Sequence, residues 1–174
     1  QTVVNESGPA VSADELERLV RRVARLAREA ELVLVAGSPP RGVASDAYAR
    51  IVADAHRAGA RALVDCAGAP LAAAVAARPL LAKINHLEAG ALAGLDASTA
   101  RGAARAARQI RSLGAESVMI TRGPRDAVAL IDGENVRRPI ARLTIATVST
   151  ITTSRLMIRI VSHTGRRFAR LRPG

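Results

Sequence analysis

The chain has 174 residues, 49% of them hydrophobic, which is enough for one domain with a real core. Aromatic residues make up only 1%, so the core must be built from Ala, Val, Leu and Ile, and base stacking of the kind single-strand nucleic-acid binders use is nearly excluded. The formal charge of +11 divides unevenly: residues 1–134 hold 17 basic and all 15 acidic residues, a net +2, whereas residues 135–174 hold nine Arg and no acid, a net +9.

In chain order, Ser12 and Glu15 have capping-box spacing, and Leu16, Leu19, Val20, Val23, Leu26 and Ala27 then recur at intervals of three and four, predicting an amphipathic helix. Leu32 to Val35 is a short apolar run stopped by Gly37, Ser38, Pro39 and Pro40, the pattern of a buried strand and a turn. A helix is predicted from a cap at Asp46 to about Ala58, ended by Gly59, and Arg61 to Cys66 reads as a second strand. A helix over about Ala69 to Ala77 and a third strand over Leu80 to Ile84 follow. A short helix then runs from near His86 to Gly94, and a longer one, capped by Ser98, runs through Leu113 to Gly114. Ser117 to Thr121 and Ala127 to Ile131, with a turn at Asp132 and Gly133, complete the strands. This alternation implies right-handed βαβ units, an α/β fold with a mainly parallel sheet and helices on both faces. Ligands of such sheets bind beyond the carboxyl ends of the strands, which directs attention to Gly37 and Ser38, Asp65, Lys83 to Glu88, and Thr121 to Gly123.

No apolar run reaches the ~20 residues of a membrane-spanning helix, so no membrane partner is expected. Cys66 stands alone and cannot form an internal disulfide, and a cytoplasmic setting is expected. The first residue is Gln1 instead of Met, from which a cut N-terminus is expected. The basic stretch from 135 on differs in composition from all that precedes it and is expected to be a separate tail, disordered or translated out of frame. An arginine-rich tail can bind polyanions, but the charge is confined to the tail and a nucleic-acid partner is not the expectation.

Asn85 and Glu88 stand one helical turn apart just after a strand, an amide and a carboxylate that can suit a hydrated Mg²⁺ or can simply cap a helix. Lys83 is the only lysine in the chain and sits near the end of an apolar strand, where its ammonium can meet a phosphate or reach solvent. Thr121, Arg122 and Gly123 offer a hydroxyl, backbone N–H groups and a glycine at the end of a strand. Ser38 sits beside two prolines, Pro39 and Pro40, that fix the backbone and can aim its hydroxyl at a substrate. His56, His86 and His163 lack the spacing of a zinc site, no phosphate-binding P-loop or Gly-x-Gly-x-x-Gly occurs, and Cys66 has no base near it in sequence.

Order and spacing bring these together. Thr2 to Pro9 (Thr-Val-Val-Asn-Glu-Ser-Gly-Pro) is similar to an Asn-Glu-Pro-Gly-Pro segment, and Ala36 to Val43 to Ser-Gly-Ser-Leu-Pro-Pro-Gly-Val. Val64-Asp65-Cys66-Ala67-Gly68 is similar to Leu-Asp-Thr-Ser-Gly, Lys83-Ile84-Asn85-His86-Leu87-Glu88 to Lys-Pro-Asn-x-x-Glu, and Thr121-Arg122-Gly123 to Ser/Thr-Leu-Gly. Over residues 2–134 the chain thus resembles the PfkB, ribokinase-like carbohydrate kinases, and within them the hexose-phosphate branch that includes 1-phosphofructokinase and tagatose-6-phosphate kinase. The resemblance implies a three-layer αβα fold, incomplete at both ends, and ATP- and Mg²⁺-dependent phosphoryl transfer to a phosphorylated ketohexose. It implies Ser38 at the sugar phosphate, Lys83, Asn85, Glu88, Thr121 and Gly123 at the nucleotide, and Asn85 with Glu88 at the metal; it leaves a homodimer open for the intact family member. Ile84 and Arg41 replace prolines of the pattern, and Asp126 stands where a glycine lies close to nucleotide, a charge expected to repel phosphate. The Gly-Ala-Gly-Asp segment, which supplies the catalytic Asp and anion-binding N–H groups, does not occur after residue 145, so no catalytic residue is assigned. The alternative expectation is an inactive fragment or pseudokinase with a polyanion-binding tail.

Overall fold

The computed structural model describes residues 10–124, 126–131, 134–138 and 157–161, the last two stretches as backbone. The segment from Thr2 to Pro9, the turn at Asp132 and Gly133, and the residues from 139 to 156 lie outside the described residues.

Helix α1 (Ala13–Ala27) starts at the capping box read from the sequence: the Ser12 hydroxyl accepts from Glu15 N, and the Glu15 carboxylate accepts from Ser12 N at 2.8 Å. Its apolar stripe, Leu16, Val20, Val23 and Ala27, is buried, and the Glu17 carboxylate pairs with Arg50, tying α1 to α2. The chain then alternates: β1 (Leu32–Ala36), α2 (Ala47–Arg57), β2 (Arg61–Asp65), α3 (Gly68–Ala76), β3 (Leu81–Asn85), α4 (His86–Ala93), α5 (Ala100–Ser112) and β4 (Ser117–Thr121). The strands β5 (Ala127–Ile131), β6 (Glu134–Arg138) and β7 (Met157–Val161) complete one sheet of order β6-β5-β4-β3-β2-β1-β7.

Strands β1 to β4 are mutually parallel, while β5, β6 and β7 pair antiparallel with β4, β5 and β1. Pairing sets Val33 beside Ala62, Val35 beside Val64, Val64 beside Ala82, Ala82 beside Val118 and Ile84 beside Ile120, so these buried residues share one face. Helices α2 to α5 pack against the strands, and their buried Ile51, Val52, Leu71, Val75, Ala106 and Ile110 join that face in one core. On the opposite face Leu32, Leu34, Leu63, Leu81 and Met119 are half-buried. Many of the helix residues at the core are Ala, which lets helices approach the sheet closely where aromatic side chains are scarce.

Two helix starts differ from the sequence reading. Asp46 does not cap α2: it is already in the right-handed helical region (φ −85, ψ −6) and its side chain makes no cap hydrogen bond. The chain enters α2 from a turn, with Ala47 N bonded to Ala44 O at 3.1 Å, so the extended geometry a cap needs is not available. Ser98 does not cap α5 either. Its N–H and hydroxyl both donate to the Asp96 carboxylate, at 2.8 and 2.9 Å, and the next residue, the extended Thr99, accepts from Gly102 N at 3.0 Å instead. Among the described residues no helix is long and apolar enough to cross a membrane.

Candidate functional site

Because β1 to β4 are parallel, the segments that follow them all emerge at one edge of the sheet. Along that edge come Gly37 and Ser38 after β1, Cys66 and Ala67 after β2, His86 to Glu88 after β3, and Arg122 and Gly123 after β4. With neighbouring strands ~4.8 Å apart, the end of β1 lies about 10 Å from that of β3, while Thr121 pairs directly with Asn85. The residues expected at nucleotide therefore gather on β3 and β4, and Ser38 stands two strands away.

The Ser38 turn is held from behind. Gly37, at φ 89, donates its N–H to Asp65 O at 2.9 Å and accepts from the Tyr48 hydroxyl at 3.0 Å. Tyr48 is 1% exposed, and burial raises its hydroxyl pKa well above the ordinary value, so the group is a proton donor at every physiological pH. Ser38 itself is exposed. A little further on, Val11 N donates to Arg41 O at 3.0 Å, and a Cβ on Gly42 would meet the Val11 carbonyl oxygen at 2.7 Å, so the loop is pressed against the approach to α1.

Lys83 and Asp65 project from adjacent strands on the sheet face opposite the helices, and Lys83 Nζ donates to Asp65 Oδ2 at 2.6 Å. Their side chains are 33% and 38% exposed, so the pair is open to a ligand while its charges compensate. Asn85 caps α4: its Oδ1 accepts from Leu87 N and Glu88 N, both at 2.9 Å, and Glu88 Oε2 accepts from Asn85 N at 3.0 Å. Of the two sequence readings of these residues, the helix cap is the one these bonds show. The Asn85 oxygen is fully engaged by the helix start, whereas Glu88 keeps its second oxygen. A Mg²⁺ bound through one carboxylate, water and phosphate oxygens fits that donor set, and direct coordination by Asn85 does not. Among the described residues no group of three or more His, Cys, Asp or Glu could enclose a metal.

The Thr121 hydroxyl reaches Ile84 O at 3.4 Å, joining β4 to β3 at the edge. Gly123 has φ 65 and nothing within 4 Å of the place a Cβ would take, so the backbone conformation, not space, calls for glycine there. The expected repulsion from Asp126 is corrected by its surroundings: the carboxylate is buried, 4% exposed, and accepts from Arg122 Nε at 2.5 Å. Cys66 is buried at the same edge. Burial first, then the Asp65 and Glu88 carboxylates, push its thiol up to about 12, far from a nucleophile's range.

Sequence reasoning missed three of these contacts. The Lys83–Asp65 pair needs the register of β2 on β3, which local sequence does not carry. Arg122–Asp126 bridges the ends of a turn in which the sequence reading took Asp126 as an unpaired charge, without its arginine partner. The Tyr48 bond had a signal: a lone tyrosine within an apolar helix stripe must find an acceptor for its hydroxyl when buried.

The family model described as pfkB family carbohydrate kinase matches residues 1–152. The 1-phosphofructokinase of Rhodobacter capsulatus is 32% identical over 136 residues, covering 78% of this chain and 43% of the relative. That of Haemophilus influenzae is 34% identical over 98 residues, 56% of this chain and 31% of the relative. Among solved structures, phosphofructokinase-2 from Escherichia coli in complex with fructose-6-phosphate superposes with a TM-score of 0.69 at 27% identity, covering 77% of this chain and 45% of that one. The chain spans less than half the length of these relatives. A family match over most of the chain and a ribokinase-like arrangement of the sheet agree, and the chain belongs to the PfkB carbohydrate kinase family.

Proposed function

We propose that this chain forms the nucleotide-facing part of a kinase that transfers phosphoryl from ATP to a hydroxyl of a phosphorylated ketohexose, in a cytoplasmic setting. The observation that carries the proposal is the gathering of Lys83, Glu88, Thr121 and Gly123 on neighbouring strand ends, with Ser38 about 10 Å away along the same edge. In this reading Lys83 supplies a point charge for nucleotide phosphate, exchanging its Asp65 partner for a phosphate oxygen or sharing itself between the two. The Thr121 hydroxyl and the Gly123 backbone line the phosphate, Asn85 fixes the start of α4, and Ser38 faces the sugar phosphate. Glu88 would hold a Mg²⁺ there, which would supply charge neutralisation for the phosphates. The relatives named 1-phosphofructokinase and the neighbour solved with fructose-6-phosphate support a ketohexose phosphate as acceptor.

Calorimetry of Mg-ATP on the full chain tests this. Lys83→Ala should weaken binding about tenfold or more, since a hydrogen bond to a charged group is worth ~1.5–3 kcal/mol. Glu88→Gln is the matching variant for the metal: glutamine can still close the capping box, so helix content should hold while the dependence of binding on Mg²⁺ falls. Affinity for Mg-ATP unchanged by both substitutions, or undetectable in the unsubstituted chain, would refute the assignment.

The sequence around residues 145–174 carries no Gly-Ala-Gly-Asp, and this favours a second reading in which the chain binds nucleotide without turning it over, its basic tail serving a polyanion. Mg-ATP binding with no phosphoryl transfer to fructose 1-phosphate or fructose 6-phosphate, plus salt-sensitive polyanion binding weakened on removing residues 162–174, the part of the basic tail beyond β7 with four of its nine arginines, would decide for it.

A further inference from the structure

Two departures from the family pattern, Arg122 in place of leucine and Asp126 in place of glycine, meet each other in the fold. The Arg122 guanidinium donates from Nε to Asp126 Oδ1 at 2.5 Å and from Nη1 to Ser98 O at 2.7 Å, and the two backbones close the turn with Arg122 N on Asp126 O at 2.9 Å. Both side chains are 6% exposed. Ser98 belongs to the loop between α4 and α5, a segment already ordered by its own bonds to Asp96 and followed at once by the Thr99 cap. A single planar fork thus ties the β4–β5 connection to the start of α5. Its two donors point in fixed directions, and a lysine, with one nitrogen at the end of a flexible stem, is poorly suited to span both acceptors.

We infer that Arg122 is a positioning residue: clamped between the Asp126 carboxylate and the Ser98 carbonyl, it fixes the Thr121–Gly123 turn, and the affinity of that turn for nucleotide phosphate depends on the clamp instead of on the arginine's charge. The inference rests on the proposed nucleotide role of the turn. Physically, a charge buried to this degree stays in place only while it is paired. Removing Asp126 frees the guanidinium to seek water, and the turn, in which Thr121 and Gly123 flank Arg122 directly, goes with it. An arginine acting by charge would instead aim its guanidinium at the open edge, and this one is turned inward.

The test is Mg-ATP calorimetry on the full chain carrying Arg122→Lys or Asp126→Asn, together with amide hydrogen exchange. Arg122→Lys keeps the charge and loses the fork, and so separates the two roles. The clamp predicts at least tenfold weaker binding in both variants, with faster exchange confined to residues 98–102 and 121–127 and unchanged protection in β1 and β2. Arg122→Lys binding Mg-ATP as tightly as the unsubstituted chain overturns the inference while the nucleotide reading stands. Exchange accelerating throughout the sheet also overturns it, because the pair then supports the fold at large. An unsubstituted chain that does not bind Mg-ATP removes the nucleotide reading itself, and the role given to Arg122 falls with it.

Discussion

Cys66 shows how far the surroundings of one residue decide its chemistry. A thiol at the mouth of a strand edge could serve as a nucleophile, but here it is 5% exposed and faces two carboxylates. All these effects disfavour the thiolate, so its folded-state pKa, about 12, lies above the value of 9.0 for a free thiol. Between those values the folded chain keeps a proton that the unfolded chain releases. Stability from this group is therefore fully present below pH 9 and is lost as pH rises toward 12. At pH 8 iodoacetamide should alkylate Cys66 slowly in the native protein and readily in urea, and urea midpoints should fall from pH 9 upward. Fast native alkylation at pH 8 would show that the thiol is not held as the geometry requires. Tyr48 follows the same logic with the opposite use: burial keeps its proton on, and the proton holds the Gly37 carbonyl beneath the Ser38 turn.

At the scale of elements, much of the architecture could be read from the sequence. Leu32 to Val35, Ser117 to Thr121 and Ala127 to Ile131 are short apolar runs between breakers, and each becomes a strand within one residue of the expected bounds. Ser12 with Glu15 caps α1 as the spacing implies. Asp46 and Ser98 are both good capping residues, but the backbone at Asp46 is already helical and the helix start after Ser98 falls one residue later, at Thr99. Asn85 and Glu88 stayed ambiguous because one spacing serves a helix cap and a phosphate-metal site alike. What local sequence could not supply is the pairing of Lys83 with Asp65, which exists only once β2 and β3 are in register. Gly102 gives a test at this scale. By helix propensity alone Gly102→Ala should stabilise α5 by ~1 kcal/mol. The added Cβ, however, would lie 2.1 Å from the Asp96 backbone oxygen, which cannot rotate away. Overpacking of this kind costs ~1–3 kcal/mol, so a net loss of stability is expected, with the Asp96–Thr99 loop displaced. A urea midpoint above that of the unsubstituted chain would mean that the loop yields more easily than its bonds suggest.

For the whole molecule the deciding feature is how the sheet ends. Strand β1 carries the Ser38 turn and is the last of the parallel set, and β7 lies antiparallel against it from Leu32 opposite Val161 to Ala36 opposite Met157. The half-buried Leu32 and Leu34 on its open face make β1 an apolar strand, and without β7 its row of N–H and C=O groups would be a template for another chain. Along an antiparallel strand successive residues turn their N–H groups alternately toward and away from the partner. In the double substitution Arg159→Pro with Ile160→Pro, one of the two prolines must therefore remove a donor that faces β1, whichever way the alternation falls. The expected result is faster amide exchange at residues 32–36 and concentration-dependent association seen by light scattering, with β3 and β4 still protected because they lie beyond β2. The nucleotide binding proposed for the β3–β4 edge should then survive in whatever remains monomeric, while the Ser38 turn loosens. If β1 stays protected and the protein stays monodisperse, the edge is closed by something other than β7, and the Ser38 turn does not depend on that strand.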